Sequence, residues 1–235
     1  MRWVPLLGLA GLIVLGIGHG IGLLVAPAEL GMGETGRILY AHVPCAWVAL
    51  LVFGAAFAGA VMALWSSSPG GDALNEAGVE VGLLFSALLL VQGSLWARPT
   101  WGVFWTWDPR LTTTAILFVA FAGVLVLRRL VDQPERRMTT SAVATIVAFV
   151  DVPVVYFSVR WWKTLHQPVS PRGSIDASML CPLLLSFGGL LLLAAAFLIA
   201  RWRIARARIA AECAGEGLGE PPPPIVLPLD DGDAR

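Results

Sequence analysis

Apolar runs separated by short polar connections divide most of this chain. Six are long enough to matter: approximately Val4–Ala26, Arg37–Trp65, Ala77–Trp96, Leu111–Leu127, Thr139–Val159 and Ser178–Ala200. A helix needs about 20 predominantly apolar residues to cross a bilayer. The pattern therefore predicts an all-α polytopic membrane protein with six transmembrane helices. The first run follows Met1-Arg2 and ends at Val25-Ala26-Pro27-Ala28, which faintly resembles a signal-peptidase site. It exceeds the about 7–15 residues of a signal h-region, so it is expected to remain as a signal anchor.

Six crossings leave both termini on one side. They gather the first, third and fifth connections, Pro27–Gly36, Ala97–Arg110 and Arg160–Ala177, on the other. Ser66–Glu76 and Arg128–Met138 then lie with the termini. Arg128, Arg129, Arg136 and Arg137 mark the second of these, and Arg201, Arg203, Arg206 and Arg208 follow the last run. Basic residues flanking spans are retained in the cytoplasm, so both termini are expected to be cytoplasmic. Residues 1–210 form the expected membrane domain. Residues 211–235, with Pro221–Pro224 and terminal acids, read as a disordered cytoplasmic tail.

Composition agrees with this class. Hydrophobic residues make up 57% of the chain and charged residues only 14%, with a mean hydropathy of +0.76. A soluble domain carries about 25% charged residues. Net charge is zero and no basic stripe accompanies a nucleic-acid motif, so nucleic acid is not an expected partner. Cys45, Cys181 and Cys213 form no CxxC, which removes a zinc ribbon, a thiol redox motif and a CxxCH haem attachment. Cys45 and Cys181 share one membrane end. A disulfide is open to them, but small buried residues is the plainer reading.

The densest chemistry lies in WGVFWTWDPRLT, Trp101–Thr112. Trp101, Phe104, Trp105 and Trp107 crowd a connection that Trp96 already approaches. A short helical turn would put Trp101, Phe104 and Trp105 on one face, since positions i, i+3 and i+4 are neighbours. Tryptophan also gathers at headgroup depth, so an interfacial belt is the bland alternative. The density of the run favours a flat aromatic platform for a ligand. Asp108 before Pro109 is a helix start, the carboxylate capping and proline suiting the first helical position. That cap would fix the exit angle of the platform.

Two of the three histidines fall on the platform's side: His42 in AHVPCAW and His166 in RWWKTLHQP. Arg37, Arg98, Arg110, Arg160, Lys163 and Arg172 lie there too, against the orientation bias. Either the inner clusters outvote them, or some meet an anionic ligand through paired, charge-assisted hydrogen bonds. A zinc site would want three or four ligands, and these loops offer no such set. An aromatic shelf, two imidazoles and nearby guanidiniums fit haem, with nitrogen ligands to iron and arginines to propionates.

Polar groups inside the spans are few. Asp151 and Pro153 interrupt the fifth run, and proline there removes a backbone bond. An ionisable residue in a span is a functional candidate. His19 in the first run sits at a similar depth. Separate local satisfaction is the plain expectation for His19 and Asp151, with pairing between spans one and five as the alternative. Glu80 and Gln92 are expected to face protein neighbours. Phe53, Phe57 and Leu64 read as packing, and Pro182 fits the beginning of a helix.

WGVFWTWDPRLT resembles the tryptophan-rich "WWD" signature of haem-handling proteins. AHVPCAW before it, WWKTLHQP after it and the six-span length resemble the haem exporter protein C (CcmC) family of bacterial cytochrome c maturation, over nearly the whole chain except the tail. The resemblance implies axial haem ligation by His42 and His166. It implies a haem platform carried by Trp101 through Asp108, Trp105 and Trp107 included, within the loop 97–110; Trp96, Arg98 and Arg110 are cofactor-binding candidates on residue type alone. It further implies haem b held transiently and non-covalently on the periplasmic face of the inner membrane. Transfer to the haem chaperone CcmE, and partnership with CcmD, CcmA and CcmB, follow from the same likeness. The longer relatives CcmF and the CcsA-type synthases carry more spans and further histidines, which this chain lacks in its outer loops. No Walker A motif or nucleophile–base constellation appears, so reversible ligation rather than enzymatic catalysis is expected. A through-membrane haem transporter subunit and an assembly scaffold without haem are the competing readings.

Overall fold

The computed structural model describes residues 3–167 and 175–217. Arg172 and most of the expected tail lie outside the described residues. The elements are α1 (Trp3–Leu24), a 3-10 helix (Glu34–Ile38), α2 (Leu39–Ser66), α3 (Pro69–Trp101), α4 (Pro109–Leu130), α5 (Pro134–Phe149), α6 (Asp151–Trp161) and α7 (Ala177–Gly217). Six helical stretches are long and apolar enough to cross a membrane, with α5 and α6 together supplying the fifth. The described residues are thus an all-α, six-span bundle. The described parts of connections one, three and five meet at one end, and the remaining connections lie at the end where α1 starts and α7 finishes.

Helix α3 departs most from the hydropathy reading. The expected loop Ser66–Glu76 shrinks to Ser67 and Ser68. Ser67 takes a left-handed turn (φ 47°), and the Ser68 side chain accepts from Gly71 N at 3.1 Å with Pro69 in the first turn. Serine followed by proline is a strong helix start. The first turns of α3 are polar yet buried, carrying Asp72, Asn75 and Glu76.

These side chains are buried because α4 and α5 answer them. Arg128 Nη1 and Nη2 donate to the two Asp72 carboxylate oxygens at 2.5 and 2.7 Å, and Nε donates to Glu76 at 2.9 Å. Arg128 also reaches Ser141 Oγ at 2.8 Å, and Thr145 Oγ1 donates to Asn75 Oδ1 at 2.8 Å. A hydropathy window scores such residues as loop, although their partners make them interior. Close backbone approach adds to the seal. A Cβ on Gly59 of α2 would fall 2.5 Å from Asn75 N of α3.

Further along, Phe53 of α2 stacks on Phe121 of α4 with ring centroids 3.9 Å apart, and Phe57 stacks on Phe149 at 4.5 Å. Both act as packing. The fifth span breaks at Val150, as Asp151 and Pro153 foretold, since Pro153 cannot donate back to Phe149. His19 does not pair with Asp151. Its Nδ1 lies 3.2 Å from Ser186 Oγ of α7, and Asp151 Oδ2 is buried without a partner. Glu80 accepts from Arg201 Nε at 2.5 Å, whereas Gln92 Oε1 finds no partner.

Cys45 and Cys181 are both free thiols. Cys45 is buried with its Sγ donating to Phe85 O at 3.2 Å, but Cys181 is exposed on the bundle surface, so only the first is a small buried residue. Helix α7 runs on through Gly217, past the tail boundary expected at Ala211, and its Glu212 pairs with Arg137.

Removing Arg128 leaves the buried Asp72 without its counter-charge and Glu76 with Arg208 alone. Arg128→Ala is expected to destabilise the bundle by about 3–5 kcal/mol, read as a lowered unfolding temperature in detergent. A melting curve that matched the unsubstituted protein would contradict this role for Arg128.

Candidate functional site

The end opposite the termini is built differently. On the His42 side of Phe53 a cavity of about 670 Å³ opens beside α2 and α3 and reaches α4 and α6, while the two helices stay in contact there through Cys45 and Phe85. Phe53 lies eleven residues along α2 from His42, which at about 1.5 Å per residue gives a depth of about 16 Å. The walls are apolar, with Leu50, Leu89, Leu117 and Val155 among them. The volume falls within the about 300–1,000 Å³ of small-molecule sites.

His42 enters from the first turn of α2 and His166 from the fifth connection, and both line the cavity. Their ring centroids lie 6.5 Å apart with an interplanar angle of 34°. With metal–nitrogen bonds of about 2.0–2.1 Å, two imidazoles on one metal have centres about 6 Å apart. The rings therefore stand at the spacing one metal atom would span. His166 Nδ1 lies 3.0 Å from Gln167 O. A carbonyl only accepts, so the ring proton sits on Nδ1 and Nε2 keeps its lone pair. Burial pushes the His166 imidazole below its ordinary value, which also favours the neutral, ligating form. His42 Nδ1 is buried with no partner.

Asp108 holds the loop that carries His166. One oxygen caps α4 by accepting from Arg110 N at 2.9 Å, as expected of Asp before proline. The same oxygen accepts from Thr164 Oγ1 at 2.7 Å, and the other accepts from Leu165 N at 2.7 Å. Thr164 Oγ1 in turn accepts from His166 N at 3.0 Å. One buried carboxylate thus joins the start of α4 to the residues beside the histidine. Asp108 does not itself line the cavity, so its contribution is positional.

Four tryptophans line the cavity, one of them Trp47 of α2. The others are Trp96, Trp101 and Trp105, with Trp96 edge-on to Trp101 at 5.3 Å. Trp96 Nε1 also donates to Thr35 O at 3.0 Å, tying α3 to the first connection. The expected helical turn over Trp101–Trp105 does not form. Helix α3 ends at Trp101 because Gly102 takes a left-handed C-cap (φ 80°), and the chain then bends. Phe104 consequently points outward, beneath the Arg98 guanidinium at 5.6 Å. Trp107 does not line the cavity. It is 82% exposed and packs edge-on to Trp105 at 6.0 Å.

Of the cations expected near the ligand, only Arg110 lines the cavity among the described residues. It donates to Tyr156 O at 3.3 Å, and its Nε is buried without an acceptor. Arg98 instead donates to Gly102 O and covers Phe104. Arg37 caps the end of α1, donating to Gly22 O and Ala26 O at 2.8 Å each. Arg160 lies over Phe157.

The amino-acid pattern gave no warning of Thr164, Gly93 or Gln167. A Cβ on Gly93 would stand 3.2 Å from His42 Cε1, so the missing side chain is what lets the imidazole lie against α3. Gln167 Nε2 donates to Met32 Sδ at 3.4 Å, closing the fifth connection on the first.

The amino-acid sequence matches known proteins over most of its length. The family model "Heme exporter protein C" (CcmC) matches residues 1–214. The chain belongs to this family. A Heme exporter protein C of Bradyrhizobium diazoefficiens is 41% identical over 187 residues, covering 78% of this chain and 71% of that protein. A protein of the same name from Haemophilus influenzae is 37% identical over 204 residues, covering 85% and 83%. A putative cytochrome c biosynthesis ccmC-like mitochondrial protein of Marchantia polymorpha is 37% identical over 182 residues, covering 76% and 77%. Membership ties the chain to haem export and cytochrome c biogenesis rather than to a known enzyme activity.

The clamp on the fifth connection is testable without any ligand. Asp108→Ala removes the acceptor for Leu165 N, a bond to a charged group worth about 1.5–3 kcal/mol. Amide hydrogen exchange at Leu165 and His166 is expected to accelerate by roughly tenfold to a hundredfold, with the core of α2 unchanged. Unaltered exchange there would show that the carboxylate does not hold the loop.

Proposed function

We propose that the protein binds haem b non-covalently between His42 and His166, on the periplasmic side of a bacterial inner membrane, and delivers it to the haem chaperone CcmE. CcmD and the CcmA–CcmB pair complete the assembly in which it works. The observation that carries this reading is the imidazole pair, set 6.5 Å apart at an apolar cavity. Family membership supplies the cargo, and the cavity's chemistry suits it. Apolar walls accept a porphyrin edge, Trp96, Trp101 and Trp105 offer aromatic faces, and Arg110 keeps an unanswered donor for a carboxylate. Haem is the cargo here, so the protein's task is to hold iron and release it.

The two ligands are mounted unequally. His42 sits on a packed helix against Gly93. His166 sits on a connection held by side-chain hydrogen bonds to Asp108 and Thr164. An incoming chaperone ligand displaces the second more readily, because loosening a loop disturbs no core packing. His42 then retains its bond until transfer is complete. The other half of the bundle favours a pocket over a through-membrane route. Phe53 stacked on Phe121 floors the cavity, and the Arg128 cluster fills the space beyond.

Purified protein is expected to show a haem absorption spectrum that the His42→Ala/His166→Ala double substitution abolishes. Adding imidazole should restore it in His166→Ala more fully than in His42→Ala, whose site is buried. A double variant that kept the parent spectrum would refute the ligand assignment. Gly93→Val, which crowds the His42 ring, is expected to weaken haem binding by about tenfold, roughly 1.4 kcal/mol, in an absorbance titration. Binding unchanged by that crowding would mean that contact with α3 does not position His42.

A further inference from the structure

A second cavity lies at the end bearing the chain termini, on the flank of α3 left open between α4 and α7. Its volume is about 460 Å³. Guanidiniums dominate its lining: Arg128, Arg129, Arg137, Arg201 and Arg208, beside Glu76, Glu80 and Asp132. Most of these charges answer one another. Arg128 and Arg208 pair with Glu76, Arg201 with Glu80, and Arg137 with Glu212. Two donors are left over. Arg129 is exposed with no ion pair among the described residues, and Arg137 keeps a buried Nε–H without an acceptor.

The same flank of α3 changes character one turn further on. Leu84, Leu88, Val91 and Leu95 follow Glu80 at helical spacing, and all four are exposed large hydrophobic residues. Lipid-facing helices commonly carry such a stripe. This one ends at a pocket with spare cationic donors, beside the last turn of α4 and the connection that follows it. Basic pockets between spans are suited to anionic headgroups.

We infer that this groove holds an acidic phospholipid of the leaflet nearest the chain termini. Its phosphodiester lies by Arg129 and Arg137, and an acyl chain lies along Leu84, Leu88, Val91 and Leu95. The site is separate from the histidine cavity and does not rest on the haem reading. The ligand would bridge α4, α5 and α7 through their guanidiniums and stabilise the end of the bundle where the ion cluster sits.

The test is native mass spectrometry of the full chain, exchanged into micelles carrying phosphatidylglycerol or phosphatidylcholine with identical acyl chains. Retention of phosphatidylglycerol over phosphatidylcholine is expected. Arg129→Gln should cut that preference by about fivefold, the weight of one basic side chain near an anionic headgroup. Arg129 is exposed and has no ion pair among the described residues, so this variant keeps its fold even if Arg137→Gln does not. Leu88→Gln should shorten retention of the bound lipid. Equal retention of the two lipids, or a preference unmoved by Arg129→Gln, would overturn the inference. Displacement by inorganic phosphate would also overturn it, because a headgroup alone would then suffice. So would a co-purifying apolar peptide in place of lipid, which would mark the groove as a partner's seat.

Discussion

The Asp108 carboxylate has almost no access to water, and that constraint organises the histidine end of the molecule. A buried carboxylate must have its oxygens answered. Here the answers come from two separate stretches of chain: Arg110 N at the start of α4, and Thr164 and Leu165 beside His166. Satisfying the charge therefore fixes where the fifth connection lies. The position of His166 opposite His42 follows, because His166 N bonds the same Thr164 hydroxyl. A residue that does not line the histidine cavity thus sets the geometry of one that does.

The two halves of the bundle serve different ends. Near the termini, α2 and α3 meet closely enough to exclude a side chain at Gly59, and Arg128 ties α3, α4 and α5 together. In that half the interior is closed by these contacts, and the open space lies in the groove on the flank of α3. On the His42 side of Phe53 the same two helices stay in contact, with Cys45 on Phe85 O, and the cavity opens beside them toward α4 and α6. The closed half carries the cost of the open one, since helices that leave a cavity lose packing contacts there.

The six spans were legible in the chain because hydropathy over about 20 residues is a strong signal. So were the Asp108-Pro109 cap and the break at Asp151 and Pro153, each of which rests on local backbone chemistry. The extra turns of α3 were not. Asp72, Asn75 and Glu76 are polar, and nothing local reveals that Arg128 and Thr145 will bury them. The histidine pair and the tryptophans Trp96, Trp101 and Trp105 were legible as a set of residue types on one side. How the connection folds was less so: Gly102 ends the helix early and turns Phe104 away. The arginines were least legible. Arg37, Arg98 and Arg110 look alike in the chain, yet the first caps α1, the second covers Phe104 and only the third faces the cavity. Which one does so depends on helix-end geometry, not on residue type.

The central claim is that the chain sets the two imidazoles around a single metal atom before any ligand arrives. An experimental structure of the haem-loaded protein tests it most directly. Iron should lie between the rings of His42 and His166, with ring centres about 6 Å apart and the Asp108 bonds to Thr164 and Leu165 intact. Haem located elsewhere, or iron bound by one of these rings with the other turned away, would contradict the account.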